Sequence, residues 1–256
     1  MAQSDNSDMQ PEPLIGNRLL GWIIVGLVVM AIGTLAITFG GRWLGSQLAI
    51  GGHTDSVKPY VIRIGQDDLR LAANTIRFEE QRHDGPSERV DLYLAWPQMQ
   101  GYSTALRRRF DDSTGGDGLI FLQVSQSTMS RDMSGRVEPI YSHLFDGAGI
   151  AGPYGLTLHK LKADSGFGDE VVLTAPGKDG LTEYAVRCHL PDGAPGLALA
   201  ALPNSADCQR DIHAGQDLTV LYRFSSALLG DWNHIDAAIA RFVQERIVTA
   251  KAGGNR

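Results

Sequence analysis

The sequence lacks the short motifs that mark many enzymes of known chemistry. The serine hydrolase pattern G-x-S-x-G is absent. The segment most like it, Gly101 to Ala105, lacks the second glycine, which lets the chain turn sharply beneath the nucleophile. The P-loop pattern G-x-x-x-x-G-K-[ST] and the zinc patterns H-E-x-x-H and paired C-x-x-C are missing as well. We therefore predict no catalytic residue, no cofactor and no metal ligand from motifs.

Cysteine is scarce, with only Cys188 and Cys208 in 256 residues. An even count favours an oxidising compartment, where a disulfide persists. If the two residues pair, the enclosed loop stabilises the fold by roughly 3 kcal/mol on the chain-entropy view and staples two neighbouring strands. The alternative is a pair of buried thiols in a reducing compartment. We expect the disulfide.

An excess of positive charge is also lacking. The formal net charge is −6 at pH 7, which works against nucleic-acid binding because that affinity depends on Lys and Arg neutralising phosphates. The composition of 43% hydrophobic and 20% charged residues excludes both a polytopic membrane protein and a mostly disordered chain. No nucleic-acid partner is therefore expected.

Long apolar runs are lacking except for one, from Leu19 to Gly41, which has 23 residues and no charge between Arg18 and Arg42. As a helix it reaches roughly 35 Å, enough to cross a hydrocarbon core of about 30 Å. A secretory signal peptide is the alternative, but signal cores are shorter and end in an A-x-A cleavage site, which does not follow here. The sequence predicts one transmembrane helix, retained as a signal anchor in the lipid bilayer.

The charges that flank this run barely decide its orientation, with Arg18 and the amino terminus on one side and Arg42 and Lys58 on the other. The short polar tail before the run and the paired cysteine count both favour a large domain outside the cytoplasm. We therefore predict a single-pass protein of the bacterial inner membrane, with its N-terminus in the cytoplasm and its main domain in the periplasm.

The predicted domains are a disordered cytoplasmic tail (1–18), the transmembrane helix (19–41), a juxtamembrane connection (42–58), a periplasmic α+β domain (59–250) and a frayed tail (251–256). Within the helix, Gly26, Gly33 and Gly40 recur every seven residues and line one face. Small residues there let a second helix approach closely. The alternative is that glycine, which is common in membrane helices, recurs here by accident.

The periplasmic domain has the alternation and turn chemistry of antiparallel strands. In the run RVDLYLAWP, for example, Val90, Leu92 and Leu94 fall on one face. We also predict a short helix over 138–145 and a C-terminal amphipathic helix from Ser226 to Ala250. Its apolar stripe steps by three and four residues through Leu228, Trp232, Ile235, Ile239 and Phe242. The predicted fold class is α+β, a mainly antiparallel sheet with this helix packed on it.

Charged residues and histidines occur in a few short groups, but none has a catalytic spacing. Asp211 and His213 share one face of a predicted strand, and a metal or acid/base site is possible if they meet the helix that carries Asp231, His234 and Asp236. The alternative is a set of surface and capping residues. Further charges lie at Arg107 to Arg109, at Arg131, Asp132, Arg136 and Glu138, and at Arg210. For these we expect a solvated face and local ion pairs, with binding of an anion or a partner as the alternative.

Two classes of function remain. The first is an anchored envelope protein whose periplasmic domain binds another membrane or envelope protein, as an accessory, assembly or structural component of a membrane complex. Anchoring raises the local concentration of the domain for such a partner. The second is a membrane-tethered periplasmic hydrolase whose site is assembled from dispersed residues. A cleft in which Asp211, His213 and a further acid or hydroxyl converge would favour the second class.

Overall fold

The structure is a computed structural model that describes residues 18, 21–35, 52–111, 118–167, 169–177, 182–189 and 207–248. The chain divides into two compact units, Met1–Gly51 and Gly52–Arg256. In the first unit, residues 21–35 form helix α1, which includes Gly26 and Gly33. The rest of the predicted span, with Gly40, lies outside the described residues, as do the predicted tails except for Arg18. Of the helices described, none has both the length and the apolar content to cross a bilayer.

The described residues of the second unit form two sheets and two α-helices. A small sheet has the order β2-β1-β3, and a large sheet has the order β4-β5-β11-β10-β9-β8-β7-β6 with every neighbouring pair antiparallel. The strands are β1 (Pro59–Ile64), β2 (Asp67–Ala72), β3 (Gly85–Pro86), β4 (Arg89–Ala95), β5 (Leu119–Gln126), β6 (Ile150–Ala151), β7 (Thr157–Lys160), β8 (Glu170–Pro176), β9 (Thr182–His189), β10 (Asp207–Ala214) and β11 (Leu218–Ser225). The helices are α2 (Arg107–Asp111) and α3 (Trp232–Gln244). The predicted antiparallel sheet is confirmed.

The main core lies between one face of the large sheet and a layer made by the small sheet and α3. We call the face of the large sheet that meets this layer the inner face, and the opposite one the outer face. Successive side chains of a strand point to opposite faces, so the alternating apolar residues of each strand supply the inner face. On β11 these are Leu218, Val220, Tyr222 and Phe224, each at most 2% exposed.

The C-terminal helix is confirmed in position and in the face that it buries. Ile235, Ile239 and Phe242 are buried in the main core, and Leu228 and Trp232 pack against it. The helix is shorter than predicted, because Ser226–Asp231 forms a 3-10 segment before α3 begins at Trp232. After α3 the chain pairs with the edge of β2, where the Val248 amide donates to Asp68 O.

The predicted helix over 138–145 is wrong. The chain instead forms two separate 3-10 turns, Ser134–Arg136 and Tyr141–Leu144. Pro139 has no amide hydrogen to donate, and Ile140 leaves the helical region with φ −127° and ψ −64°. The apolar pattern there reflects packing, because Val137 is buried against Met133 and Ala185 while Tyr141 packs beside them.

The large sheet has a seam between β9 and β10. Only three residue pairs join these strands, whereas eight join β10 to β11. A disulfide links Cys188 and Cys208, which lie directly opposite each other in the middle pair and are both fully buried. The bond joins two neighbouring strands, as the sequence predicts. Beyond the seam's paired end, the loop that carries Ser134 approaches β9, where Ser134 Oγ donates to Glu183 O.

Candidate interaction surface

The two acidic and histidine groups nominated from the sequence do not meet. Asp211 lies on the outer face, where it forms an ion pair with Arg136. Asp236 of α3 faces the inner side of the sheet, where it accepts hydrogen bonds from Tyr222 and Arg210. Because alternation along β10 sends neighbouring residues to opposite faces, the sheet itself separates the two carboxylates.

The remaining nominated residues have separate roles. Asp231 accepts a hydrogen bond from Trp96 Nε1 at 3.1 Å, and His234 is exposed at the start of α3. Over the described ranges, no three His, Cys, Asp or Glu side chains gather where they could hold a metal ion. The hypothesis of a metal or acid/base site built from Asp211, His213 and α3 therefore has no geometric support.

His213 does meet a hydroxyl, at a half-open depression of about 330 Å³ beside the turn between β10 and β11. Its Nε2 atom lies 3.3 Å from Ser127 Oγ. The Ser127 hydroxyl, however, donates its one hydrogen to Met129 O at 2.8 Å, so it does not donate to the histidine as a nucleophile would donate to its base. No described carboxylate forms an ion pair with His213, so the third group of a triad is missing. This pair does not favour the hydrolase hypothesis.

The sequence contains a G-x-G-x-x-G spacing at Gly147 to Gly152. Such a pattern binds dinucleotides when it follows a strand and opens a helix, because the helix N-terminus then holds the phosphates. Here the pattern includes the short edge strand β6, and a 3-10 turn and β7 follow it. The strand, turn and helix that bind phosphates in dinucleotide-binding proteins therefore do not occur at this pattern.

The charged groups flagged in the sequence are largely structural. In the arginine triplet, Arg107 pairs with Asp111 at 3.0 Å, and Arg109 donates to Trp96 O at 2.6 Å. Arg108 is exposed, as expected for a solvated face. Arg136 differs from that expectation, because its side chain is only 15% exposed in its ion pair with Asp211.

Arg210 is the charged residue whose position differs most from the sequence-based expectation of a surface ion pair. Its side chain is 3% exposed and pairs with Asp236 at 2.8 Å. The other end of the guanidinium donates to Ser134 Oγ at 2.6 Å and to Ala185 O at 3.0 Å. Arg210 therefore fills the seam between β9 and β10 at the point where strand pairing has ended. The sequence contained a signal of this burial, because Cys208, Arg210 and Ile212 occupy every second position of a strand and so share one face.

The outer face offers an accessible surface of mixed chemistry. Cross-strand register places Phe121 opposite Arg223, Arg223 opposite Gln209, and Gln209 opposite Arg187, which makes one row across β5, β11, β10 and β9. Directly opposite residues lie about 5 Å apart, so this row is continuous. Leu221 lies in the next row, opposite Gln123. All these side chains are at least partly exposed.

Guanidinium groups on the outer face are held against aromatic rings. Arg77 lies 5.1 Å from the centroid of Phe121, and Arg187 lies 5.0 Å from that of Phe167. Such stacking contributes about 0.5 to 1 kcal/mol at exposed sites and limits the conformations of the arginine. Arg187 and Arg223 form ion pairs with acids, whereas Arg77 forms none with a described residue.

Two small clusters cover the outer face on either side of this row. One contains Tyr93, Tyr102 and Phe110 near β4, and the other contains Met133 and Val137 near β9. The open part of the outer face is therefore a strip between two raised borders, with an arginine-rich and partly aromatic floor. Arginine and aromatic residues are enriched in protein interfaces, while lysine is depleted.

The fold has known counterparts, although no protein family and no curated protein matches the chain. A solved structure described as Smlt3025, an immunity protein of the Stenotrophomonas maltophilia type IV secretion system, is similar with a TM-score of 0.51. It is 18% identical and the match covers 78% of this chain and 98% of that one. The Neisseria meningitidis iron-regulated outer membrane lipoprotein FrpD matches with a TM-score of 0.46 and 9% identity, over 77% of this chain and 95% of that one. At the identity of the first match, the likeness is one of fold alone.

Proposed function

We propose that the chain is a single-pass protein of the bacterial inner membrane whose second unit lies in the periplasm and binds a partner protein of the envelope. In this role it is an accessory, assembly or structural component of a membrane complex. The observation that carries the proposal is the outer face, where a partly exposed row of arginine, aromatic and amide side chains crosses four strands. The immunity-protein description of the similar fold is a looser support.

The anchor is part of this proposal. The sequence run 19–41 is long enough to span, and the described helix α1 exposes large apolar side chains around its surface, including Trp22, Leu27 and Met30. Such a surface is stable in an apolar solvent. The disulfide between Cys188 and Cys208 supports an oxidising compartment for the second unit. Gly26, Gly33 and Gly40 are proposed as the face that a second helix approaches.

The anchor predicts that the full chain stays in the membrane pellet after alkaline carbonate washing. A C-terminal alkaline phosphatase fusion should be active, because that enzyme folds only where disulfides form. A chain that starts at Gly52 behind a cleavable signal should instead be released with the periplasmic fraction. Release of the full chain by carbonate, or an inactive fusion, would contradict the anchor or its orientation.

Replacing Gly33 by isoleucine should lower any crosslinking between α1 and a second helix.

Partner binding is tested by photo-crosslinking in intact membranes. A photoreactive amino acid at Thr219, on the outer face, should capture a protein, whereas the same amino acid at exposed Ala240 on α3 should not. Leu221→Glu should abolish capture from position 219, because it replaces an apolar side chain of the strip with a charge that a bound partner would have to desolvate. Arg241→Glu, a charge change on exposed α3, is the matched control and should leave capture unchanged. Equal capture from both positions, or none from position 219, would overturn the assignment of the outer face.

A further inference from the structure

The segment 52–58, which leads into the first strand, is fixed to the domain by few and identifiable contacts. We call it the leading segment. The Asn74 and Ala73 amides donate to Ser56 O and Lys58 O, each at 2.9 Å. The Thr104 amide donates to Asp55 Oδ1 at 2.7 Å. These three amides belong to the domain but find their acceptors on the leading segment, so they report whether it is docked.

His53 is the side chain that the leading segment inserts into the domain. Its ring stacks on Tyr102 with the centroids 4.8 Å apart and the planes within 6°. It also lies against Tyr93 and Phe110. The side chain is only 18% exposed. Docking of the segment therefore takes an imidazole out of water and into a box of three aromatic rings.

The groups around the Tyr93 hydroxyl favour a neutral His53 ring in this box. Its Nδ1 atom lies 3.0 Å from the Tyr93 hydroxyl. Burial raises the pKa of Tyr93 to about 12, so this hydroxyl keeps its proton. The Arg82 guanidinium lies beside the same hydroxyl and can only donate hydrogen bonds, so it cannot accept the hydroxyl proton. The hydroxyl proton therefore points to Nδ1, which accepts it only while that nitrogen is unprotonated.

We propose that the leading segment is a pH-sensitive latch, docked while His53 is neutral and released from the domain when the imidazole is protonated. Protonation places a hydrogen on Nδ1 that faces the hydrogen of the Tyr93 hydroxyl. The Tyr93 hydroxyl then has no acceptor at Nδ1. It also adds a positive charge near Arg82, Arg77 and Arg107. Asp111 opposes this effect, with its Oδ1 atom 3.8 Å from Nε2. Its side chain is 38% exposed, so solvent screens the attraction.

The direction of the pH effect follows from the same contacts. Burial lowers the pKa of docked His53 below its ordinary value of 6.5, an effect that Asp111 opposes and the three arginines reinforce. A released ring in water keeps the ordinary value, so the released state binds more protons in the window below pH 6.5. The contribution of His53 to docking is therefore fully present above this window and is lost as the pH falls through it. If the chain is anchored as proposed, release also lengthens the connection between the membrane and the domain by the length of the leading segment.

Hydrogen exchange on the full chain tests the latch between pH about 7.5 and about 5, the range in which histidine titrates. After correction for intrinsic exchange, the peptides with Asn74 and Thr104 should lose protection at the lower pH, while those of β11 keep theirs. Variants with His53→Gln or His53→Phe cannot titrate at this position, and their Asn74 and Thr104 protection should not depend on pH. His213→Gln, at an exposed histidine, should respond to pH as the unaltered chain does. The proposal is overturned if protection at Asn74 and Thr104 is independent of pH in the unaltered chain, or if both non-titrating variants lose it equally.

Discussion

Replacing Arg210 by methionine should lower the free energy of unfolding by about 3 kcal/mol, the lower end of the range for breaking a buried ion pair. The change removes the charge that Asp236 faces at 2.8 Å and the donor that Ala185 O uses at 3.0 Å. Asp236 retains the hydrogen bond from Tyr222 and is 29% exposed, so water relieves part of the loss. Chemical denaturation of the full chain in detergent, followed by near-ultraviolet circular dichroism, measures the change.

The chain contains a matched control for this experiment. Arg223 on β11 also pairs with an aspartate, Asp207, but the two side chains are 56% and 42% exposed. Arg223→Met should therefore change the free energy of unfolding by less than about 1 kcal/mol. An equal loss in the two variants would show that burial does not set the strength of the Arg210 pair.

Asp236→Asn examines the same pair from the other side. It preserves the shape of the side chain but leaves the Arg210 guanidinium, 3% exposed, without its counter-charge. We expect a loss of similar size, about 3 kcal/mol. The double variant Arg210→Met/Asp236→Asn should lose less than the sum of the two single changes, because neither partner is then left charged and alone. Additive losses would contradict direct coupling between Arg210 and Asp236.

Local patterns in the sequence predict the elements of this fold better than their arrangement. The stripe of Ile235, Ile239 and Phe242 predicts the buried face of α3, because the helical period alone places these residues together. The strands follow from alternation in the same way. The pairing of β5 with β11 joins residues about a hundred positions apart along the chain, and no local pattern specifies such a contact.

The outer face and the seam between β9 and β10 are harder to predict from the sequence, because both depend on contacts between distant segments. Arg210 lies in an alternating strand, yet its charge favours a surface assignment. Its burial depends on partners that are distant in the sequence, namely Asp236, Ser134 and the Ala185 carbonyl. Segment 138–145 has helical periodicity but belongs to a loop that packs against β9. The outer face mixes Phe121 and Leu221 with arginines, so in the sequence it has no pattern separate from that of ordinary strands.

Removing the disulfide should open one half of the large sheet before the other. Cys188→Ala/Cys208→Ala should lower the free energy of unfolding by about 3 kcal/mol, since it frees a closed loop in the unfolded chain. The bond also lies in the middle of the three residue pairs that join β9 to β10. Amide exchange should therefore accelerate more in β7, β8 and β9 than in β5 and β11, whose pairing the change leaves intact.

The unaltered chain supplies the control for the disulfide. Both cysteines are fully buried, so a reductant added without denaturant should leave the bond intact, and it should break only when the sheet opens at the seam. Partial denaturant below the unfolding midpoint should then expose both thiols to alkylation while β5 and β11 remain protected. Alkylation that appears only with loss of protection in β11 would contradict a separate opening. Because Arg210 fills the same seam, Arg210→Met should lower the denaturant concentration at which alkylation begins, whereas Arg223→Met should not.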